Sequence, residues 1–201
     1  MTRRDTDQIL LQARLDEGAS ATWTTACAAA VAAWPGARLR RAAWSPTTGD
    51  AYAYLALPQR RQLEAADLAP ALAALTAVLP PEAGPRVSRL ALAFALTGAS
   101  RGAEPAWHYV VEMDPAAGWQ DELMRWYDTE HMPGLASVPG SVHAARLLNH
   151  DHGPLSLACY DLVSPETLGS PPWLAVRGTA WSSRVRPHFT HTRRTMFRTL
   201  A

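Results

Sequence analysis

Two hydrophobic periodicities alternate along the chain. Segments in which every second residue is apolar predict strands, and segments whose apolar residues recur three or four apart predict helices. The first hundred residues follow the order strand, helix, strand, strand, helix, strand. The predicted elements are strand 8–15, helix 20–34, strands 37–44 and 51–57 joined as a hairpin, helix 64–79 interrupted early by Pro70, and strand 86–96.

The second hundred residues repeat this order. The predicted elements are strand 106–113, a helix from N-cap Asp114 and first residue Pro115 to Met132, a hairpin of 141–148 and 154–162, a helix near 172–185, and strand 189–200. Each first helix is followed by a Pro-Gly pair, and Pro139-Gly140 lies 104 residues after Pro35-Gly36. The regular spacing indicates a repeat of about one hundred residues.

Each half therefore has the βαββαβ order of the ferredoxin-like fold, a four-stranded antiparallel sheet with helices on one face. The bare face needs a cover, and a second copy of the sheet provides one. We predict an α+β fold in which two tandem repeats pair their sheets into an intramolecular version of a dimeric α+β barrel, with a small-molecule pocket between the sheets. The predicted segments are an N-terminal half at 1–97, a linker at 98–105 and a C-terminal half at 106–201.

Composition narrows the class of protein. About half of the 201 residues are apolar (48%), which excludes a disordered chain, but no apolar run is long enough to span a bilayer. The first residues lack the apolar core of a secretory signal, so we predict a cytoplasmic protein without membrane contact. Cys27 and Cys159 lie in apolar segments and are interpreted as small buried hydrophobes.

The charge is near balance overall, at +1, but is uneven along the chain. No acidic residue follows Glu166, whereas six arginines do: Arg177, Arg184, Arg186, Arg193, Arg194 and Arg198. A basic segment attracts nucleic acid, yet the chain has no nucleic-acid motif and its aromatic residues are not interleaved with the arginines. We therefore predict no nucleic-acid partner, and interpret the arginines as a site for an anionic small molecule or as a solvated face.

The helix at 115–131 carries the strongest candidate chemistry. Tyr127 and His131 are four residues apart and share a helix face. Asp128, one turn before His131, could orient the imidazole and raise its pKa toward neutrality, which suits general acid–base catalysis. A histidine in a last helical turn is also stabilised by the helix dipole without any catalysis. Trp126 fits a core anchor or a platform for substrate.

Five further residues are candidates on weaker grounds. On strand 106–113, His108 and Glu112 alternate with bulky apolar residues and should face away from the helices, as a second acid–base pair or as a partly solvated face. Arg146 lies among apolar neighbours and requires an anion, either a protein carboxylate or a ligand. Tyr160 has small neighbours that leave room for a ligand. A further helix carboxylate, Glu130, fits a ligand contact or the helix surface.

Metal and cofactor motifs are missing from the sequence. His150 and His152 have the spacing of a strand metal site but fall in a predicted hairpin turn, where polar residues are expected. The chain lacks a phosphate-binding glycine loop, a G-x-S-x-G elbow and an H-E-x-x-H helix. We predict neither a metal nor a cofactor.

The run "WYDTEHMPGLASVPGSVHAARLL", followed by "LSLACYDL" and a later Trp, resembles the EthD-like proteins of the dimeric α+β barrel superfamily. Such proteins commonly show a Trp-Tyr, an acid, a His-x-Pro, a Val-Pro-Gly and an Arg on the next strand. The matching residues are Trp126, Tyr127, Glu130, His131, Pro133, Pro139, Gly140 and Arg146. The resemblance covers about residues 106 to 198. In the first half the 104-residue offset places Thr22 and Cys27 at the positions of the Trp and the His.

The resemblance implies one equipped pocket, one degenerate copy, and a small organic ligand that is often aromatic or polyketide-like. Relatives include cofactor-free isomerases, cyclases and decarboxylases, and more distant ones bind haem. Our hypothesis is a cofactor-independent lyase or isomerase. His131 would move a proton, Tyr127 or Tyr160 would donate to an oxyanion, and Arg146 would hold an anionic group. The alternative is a non-catalytic binder of a hydrophobic ligand or haem, and pairing of two chains stays open.

Overall fold

The computed structural model describes residues 2–200, which form two compact units. Among these residues, unit 1 comprises 2–92, 148–153 and 197–200, and unit 2 comprises Ala93–Leu147 and Pro154–Met196. Each unit therefore contains segments that are distant in sequence. The predicted linker belongs to unit 2, where the Gly98 amide donates a hydrogen bond of 2.8 Å to the Val142 carbonyl.

The first half of the chain has the predicted βαββαβ order. Its elements are β1 (Arg4–Arg14), α1 (Ser20–Ala32), β2 (Arg38–Trp44), β3 (Asp50–Leu63), α2 (Ala69–Thr76) and β4 (Arg86–Thr97). The strands are antiparallel in the order β4-β1-β3-β2, which is the ferredoxin-like order. The core of unit 1 is closed by fully buried side chains on both helices, including Trp23, Cys27 and Leu75.

The second half repeats the element order with more interruptions. Its elements are β5 (Trp107–Pro115), α3 (Gln120–Trp126), a π-helical turn (Tyr127–His131), α4 (Met132–Ala136), β6 (Ser141–Asn149), β7 (Ser156–Leu162), α5 (Pro171–Arg177), α6 (Ala180–Val185) and β8 (Phe189–Leu200). The strand order is β8-β5-β7-β6, which matches that of the first half. The α+β class and the ferredoxin-like order are therefore confirmed.

The predicted helix start at Asp114 is wrong. Asp114 and Pro115 belong to β5, and the helix begins only at Gln120. The Asp114 carboxylate accepts a hydrogen bond of 2.7 Å from the Leu155 amide, so it is not free to cap a helix. Gly118 has a φ of +79°, a left-handed conformation that no helix can continue through.

The helix predicted near 172–185 is divided into α5 and α6. The Thr179 hydroxyl accepts a hydrogen bond from the Ser182 amide at 3.1 Å and caps α6, directly after Gly178. This break lets the two helices take different directions over unit 2. The longest helix, α1, has 13 residues, and no helix within residues 2–200 combines the length and apolar character needed to cross a bilayer.

The turn at 149–153 is more ordered than predicted. In unit 1, Asp151 accepts hydrogen bonds from the Arg89 guanidinium at 3.0 and 2.7 Å, and both side chains are more than nine-tenths buried. Arg89 also donates to the carbonyls of Thr2 and Leu63. A solvated turn is therefore the wrong description of Asp151, because the buried arginine on β4 requires a carboxylate.

Gly140, in the second Pro-Gly pair, should tolerate no side chain. Its φ is +95°, and an added Cβ would collide with the Thr167 hydroxyl. Gly118 has a φ of +79° but open space around the added carbon. We expect Gly118→Ala to lower the free energy of unfolding by about 1 kcal/mol and Gly140→Ala to lower it by about 1–3 kcal/mol more, measured by urea denaturation. Equal losses in the two variants would contradict a steric role for Thr167.

Candidate functional site

A π-helical turn shapes the candidate site in unit 2. A helix of regular α geometry would place Tyr127 and His131 one above the other, whereas the wider turn Tyr127–His131 brings residues five apart together. The rings of Trp126 and His131 are accordingly stacked, with centroids 4.1 Å apart and an interplanar angle of 22°. Tyr127 contacts the same imidazole edge-on at 5.7 Å. Such π turns recur at functional sites in helices.

These rings line a pocket between the helices and the sheet of unit 2. The lining residues are Tyr109, Val111, Trp126, Tyr127, His131, Leu135, Tyr160, Trp173, Arg177, Arg186, Phe189 and Arg194. The space among them amounts to about 370 Å³ including the open mouth, but only about 30 Å³ admits a water-sized sphere. A ligand larger than a few water molecules therefore requires side chains at the mouth to move.

His131 is neutral in this pocket. Its side chain is 8% exposed, and its Nδ1 atom has no hydrogen-bond partner among the described residues. Burial lowers the pKa of His131 to about 3, with further lowering by the charges of Arg186 and Arg177. The expectation that Asp128 raises the pKa of His131 is therefore wrong. The neutral imidazole is a hydrogen-bond partner and a weak base, not a resting cation.

Asp128 is held by Arg146 instead. Two guanidinium nitrogens of Arg146 on β6 donate to the Asp128 carboxylate at 2.8–3.1 Å, and the Arg146 side chain is only 4% exposed. The anion that the sequence requires for Arg146 is thus a protein carboxylate, and Arg146 does not line the pocket. This bidentate pair between a buried arginine and a partly exposed carboxylate attaches the π turn to the sheet.

Tyrosine hydroxyls supply hydrogen-bond donors to the pocket. Burial raises the pKa of Tyr160, and the hydroxyl of this residue has no hydrogen-bond partner within the described structure. Burial also raises the pKa values of Tyr109 and Tyr127, which line the pocket as well. All three phenols therefore stay protonated at neutral pH, so that each can donate a hydrogen bond to an anionic oxygen. Tyr160 is the one with a buried, unsatisfied donor.

Glu130 acts on the pocket through its neighbours. Its Oε1 atom accepts hydrogen bonds from the Trp126 indole at 3.1 Å and from the Thr179 hydroxyl at 2.6 Å. Since Thr179 caps α6, this carboxylate connects the pocket tryptophan to the helix that precedes Arg186. The structure places Glu130 outside the lining, in a position to orient Trp126.

His108 and Glu112 lie on the other face of β5 from Tyr109 and Val111. The predicted alternation is observed, because the bulky apolar residues of β5 pack into the core of unit 2. His108 Nδ1 lies 2.8 Å from the Asp161 carboxylate, and Glu112 lies 3.7 Å from Arg193. The structure therefore does not bring these two residues together with His131.

Three of the six arginines after Glu166, which the sequence assigned to an anion site or a solvated face, lie at the pocket. Arg177 ends α5, Arg186 follows α6, and Arg194 lies on β8, so residues far apart in the chain meet at one mouth. Burial and then the charges of Arg177 and Arg194 lower the pKa of Arg186. The acid-free run after Glu166 was the available signal, since basic residues there lack local carboxylates.

The corresponding space in unit 1 is filled. Cys27, which the 104-residue offset aligns with His131, is 0% exposed, and burial raises the pKa of this thiol to about 12. Trp23 is 0% exposed in the same core cluster. These residues therefore contribute packing, with no titratable group poised near neutral pH.

Comparison with known proteins identifies the fold but no family. No protein family and no curated protein matches the chain in sequence. An anthrone oxidase-like protein of known structure has a TM-score of 0.65 and 15% identity, and the match covers 100% of this chain and 94% of that one. A Lactobacillus acidophilus protein provisionally named a monooxygenase has a TM-score of 0.64 and 10% identity, with 98% and 94% covered. A chlorite dismutase variant from Candidatus Nitrospira defluvii has a TM-score of 0.58 and 10% identity, with 96% and 91% covered.

These likenesses extend over nearly the whole chain. At 10–15% identity they establish the fold alone, an α+β fold with antiparallel sheets. They confirm the predicted fold, and they do not confirm the EthD-like resemblance.

The low pKa of His131 should appear in the pH dependence of stability. Below about pH 6.5 the unfolded chain binds a proton at this residue, whereas the folded chain does so only near pH 3. Stability from this residue is therefore lost as the pH falls, by about 2 kcal/mol between about pH 7 and about pH 5. His131→Phe keeps a ring on Trp126 and removes the titration. We expect the stability difference between wild type and variant to change by that amount in urea denaturation, and parallel pH profiles would contradict the assignment.

Proposed function

We propose that unit 2 is a cofactor-independent enzyme of the lyase or isomerase type, which moves a proton on a small aromatic carbonyl compound. The observation that carries this proposal is a pair of buried polar atoms, His131 Nδ1 and Tyr160 Oη, which have no hydrogen-bond partner among residues 2–200 and belong to side chains that line one pocket. A buried polar group without a partner costs about 1–3 kcal/mol, and a ligand that satisfies both groups recovers it.

The chemical step uses groups with complementary roles. The neutral imidazole of His131 accepts a proton from a carbon next to the carbonyl group, and the electrons of the C–H bond move onto the carbonyl oxygen to form an enolate. The Tyr160 hydroxyl donates a hydrogen bond to this oxygen. Return of the proton to another carbon completes an isomerisation, and departure of a leaving group completes an elimination.

The low pKa of His131 limits its strength as a base, but positive charges at the pocket partly compensate by stabilising the enolate product. The charges of Arg186 and Arg177 disfavour the imidazolium, but the same charges favour an enolate beside them. Proton transfer within the pocket creates one positive and one negative charge, so the two effects partly offset each other. The effect of burial is reduced in turn, because the imidazolium gains an anionic neighbour.

A second candidate reaction is oxygenation, which similar folds favour. An anthrone oxidase-like protein and a protein provisionally named a monooxygenase both share the fold. Anthrone loses a proton from carbon to give an enolate, and its reaction with one O₂ yields anthraquinone and one water. Oxygenation therefore begins with the same proton removal by His131. It differs only in the next step, in which the enolate reacts with O₂.

Non-catalytic binding is the remaining alternative. A hydrophobic ligand would fit the aromatic lining, but the paired polar atoms would then have no role in turnover. A haem fits poorly, because the space of about 370 Å³ includes the open mouth and the His131 ring is covered by Trp126 at 4.1 Å. We therefore derive no step through haem.

We further infer that the second half is EthD-like and that the chain is a tandem form of the fold. The matching element order of the halves supports the tandem form, and the positions of Trp126, Tyr127 and His131 around one pocket support the EthD-like likeness. Arg146 and Glu130 then position the pocket residues and do not touch substrate. Cytoplasmic location and pairing of two chains stay predictions.

Anthrone is a suitable first probe, because it combines an acidic C–H group with a ketone. We expect wild-type protein to accelerate exchange of that hydrogen in D₂O under nitrogen, followed by proton NMR. His131→Gln should reduce the accelerated rate by about 10²-fold or more, since the base is lost, and Tyr160→Phe by about tenfold or more, since one oxyanion donor is lost.

The matched control is His152→Gln, which makes the same change at an exposed histidine of unit 1. This variant should exchange anthrone at the wild-type rate. If wild type and His131→Gln exchange at equal rates, proton transfer by His131 on this class of compound is excluded. Admission of O₂ then separates the two candidate reactions, since only an oxygenase forms anthraquinone at a rate that depends on His131.

A further inference from the structure

Three arginines of the pocket mouth differ from other arginines of unit 2. Arg125 and Arg184 contact the Glu122 carboxylate, Arg146 is paired with Asp128, and Arg193 lies 3.7 Å from Glu112. By contrast, no carboxylate within residues 2–200 lies within ion-pair distance of Arg177, Arg186 or Arg194. Arg101 of unit 2 likewise has no ion pair among the described residues, but it is exposed and lies outside the pocket, whereas Arg177, Arg186 and Arg194 line it.

The local charge of the pocket is therefore strongly positive. Its lining contains the three guanidinium groups and no acidic side chain, and the one histidine is neutral. Arg186 is only partly exposed and feels the charges of Arg177 and Arg194. Three like charges beside an apolar pocket repel one another, and a bound anion removes this repulsion.

The remainder of the lining indicates what else the ligand contains. The walls are aromatic, with Tyr109, Trp126, Trp173 and Phe189 around the space, and the unsatisfied donor of Tyr160 belongs to the same lining. Aromatic walls favour a flat ring, which stacks on them or meets their edges. The space of about 370 Å³ includes the open mouth, so a ring enters only when side chains at the mouth move apart.

We propose that this pocket selects an aromatic compound with at least two negative charges, one of them a carboxylate held by Arg177, Arg186 and Arg194 at the mouth. The ring then lies against the aromatic walls, and a second anionic oxygen meets Tyr160. In the proposed reaction, that second oxygen is the enolate. The inference uses the pocket of the proposed function but does not require turnover, because charge selection is a property of binding.

The test compares three ligands of one ring size that differ in charge: phthalate, benzoate and benzamide. At about pH 7.5 these carry two, one and no negative charges. We expect isothermal titration calorimetry to show binding of phthalate about tenfold or more tighter than benzoate, and of benzoate tighter than benzamide. The preference should weaken as salt is added, because part of the mouth is open to solvent.

Arg186→Gln should weaken phthalate binding about tenfold or more and leave benzamide binding unchanged. The matched control is Arg184→Gln, two residues away, where the arginine is exposed and contacts Glu122 outside the pocket. The control should bind phthalate as wild type does. Equal affinities for phthalate and benzamide, an equal loss in Arg184→Gln, or no phthalate binding at millimolar concentration would each overturn the proposal.

The two proposals fail separately. If affinity rises with ligand charge and depends on Arg186, but anthrone is not exchanged, the anion site is supported and the proposed reaction is excluded. If anthrone exchange depends on His131, but the three probes bind with equal affinity, the reaction is supported and the anion site is excluded. NMR titration of His131 gives a second readout, since phthalate should raise the pKa of this residue by offsetting the charges of Arg186 and Arg177.

Discussion

The ion pair between Arg146 and Asp128 is the constraint on which the site in unit 2 depends. A guanidinium group that is 4% exposed on β6 must be neutralised, and the carboxylate that neutralises it belongs to the π turn. The pair therefore fixes both the distance of the helix from the sheet and its rotation about its own axis. Because Trp126, Tyr127 and His131 flank Asp128 in sequence, their rings are directed to one pocket as a consequence.

Burial dominates the electrostatics around His131, because Asp128 is paired with Arg146. Burial of the imidazole lowers its pKa to about 3. The arginines at the mouth add to this effect. The same arrangement that keeps His131 neutral favours negative charge in the ligand. Selection of an anion and the availability of an unprotonated imidazole thus have one physical origin.

Much of the fold could be predicted from the chain, because it depends on local periodicity. Alternation along β5 identified the face that packs on the helices, and β8 was predicted with its observed bounds. The helix start was not predictable, because Asp114 is a good N-cap locally and is taken by the Leu155 amide, 41 residues away. The π turn could not be predicted either, because a wider helical turn leaves the sequence pattern of apolar and polar residues unchanged.

The site was predicted in part for a related reason. The spacing of Asp128 and His131 favours a local pair. The carboxylate instead pairs with a buried arginine on another element, because leaving a buried guanidinium charge unpaired costs more free energy than leaving a neutral imidazole unpaired. Arg177, Arg186 and Arg194 come from three elements, and nothing in their spacing indicates that they meet. The one sequence feature that indicated unpaired charge was the lack of acidic residues after Glu166, which leaves these arginines without a local carboxylate partner.

The two halves share an element order but differ in which side chains their helices pack against the sheet. In unit 1, Trp23 and Cys27 are fully buried and the helices close on the sheet. In unit 2, aromatic rings line a pocket that also contains polar atoms. Packing apolar groups tightly against these atoms is unfavourable, because a buried polar atom without a hydrogen bond costs free energy. A larger aliphatic residue at 131 would fill that space and stabilise the unit, at the expense of any ligand. The retention of an unpaired histidine and three unpaired arginines is thus a cost in stability that binding, and not packing, can offset.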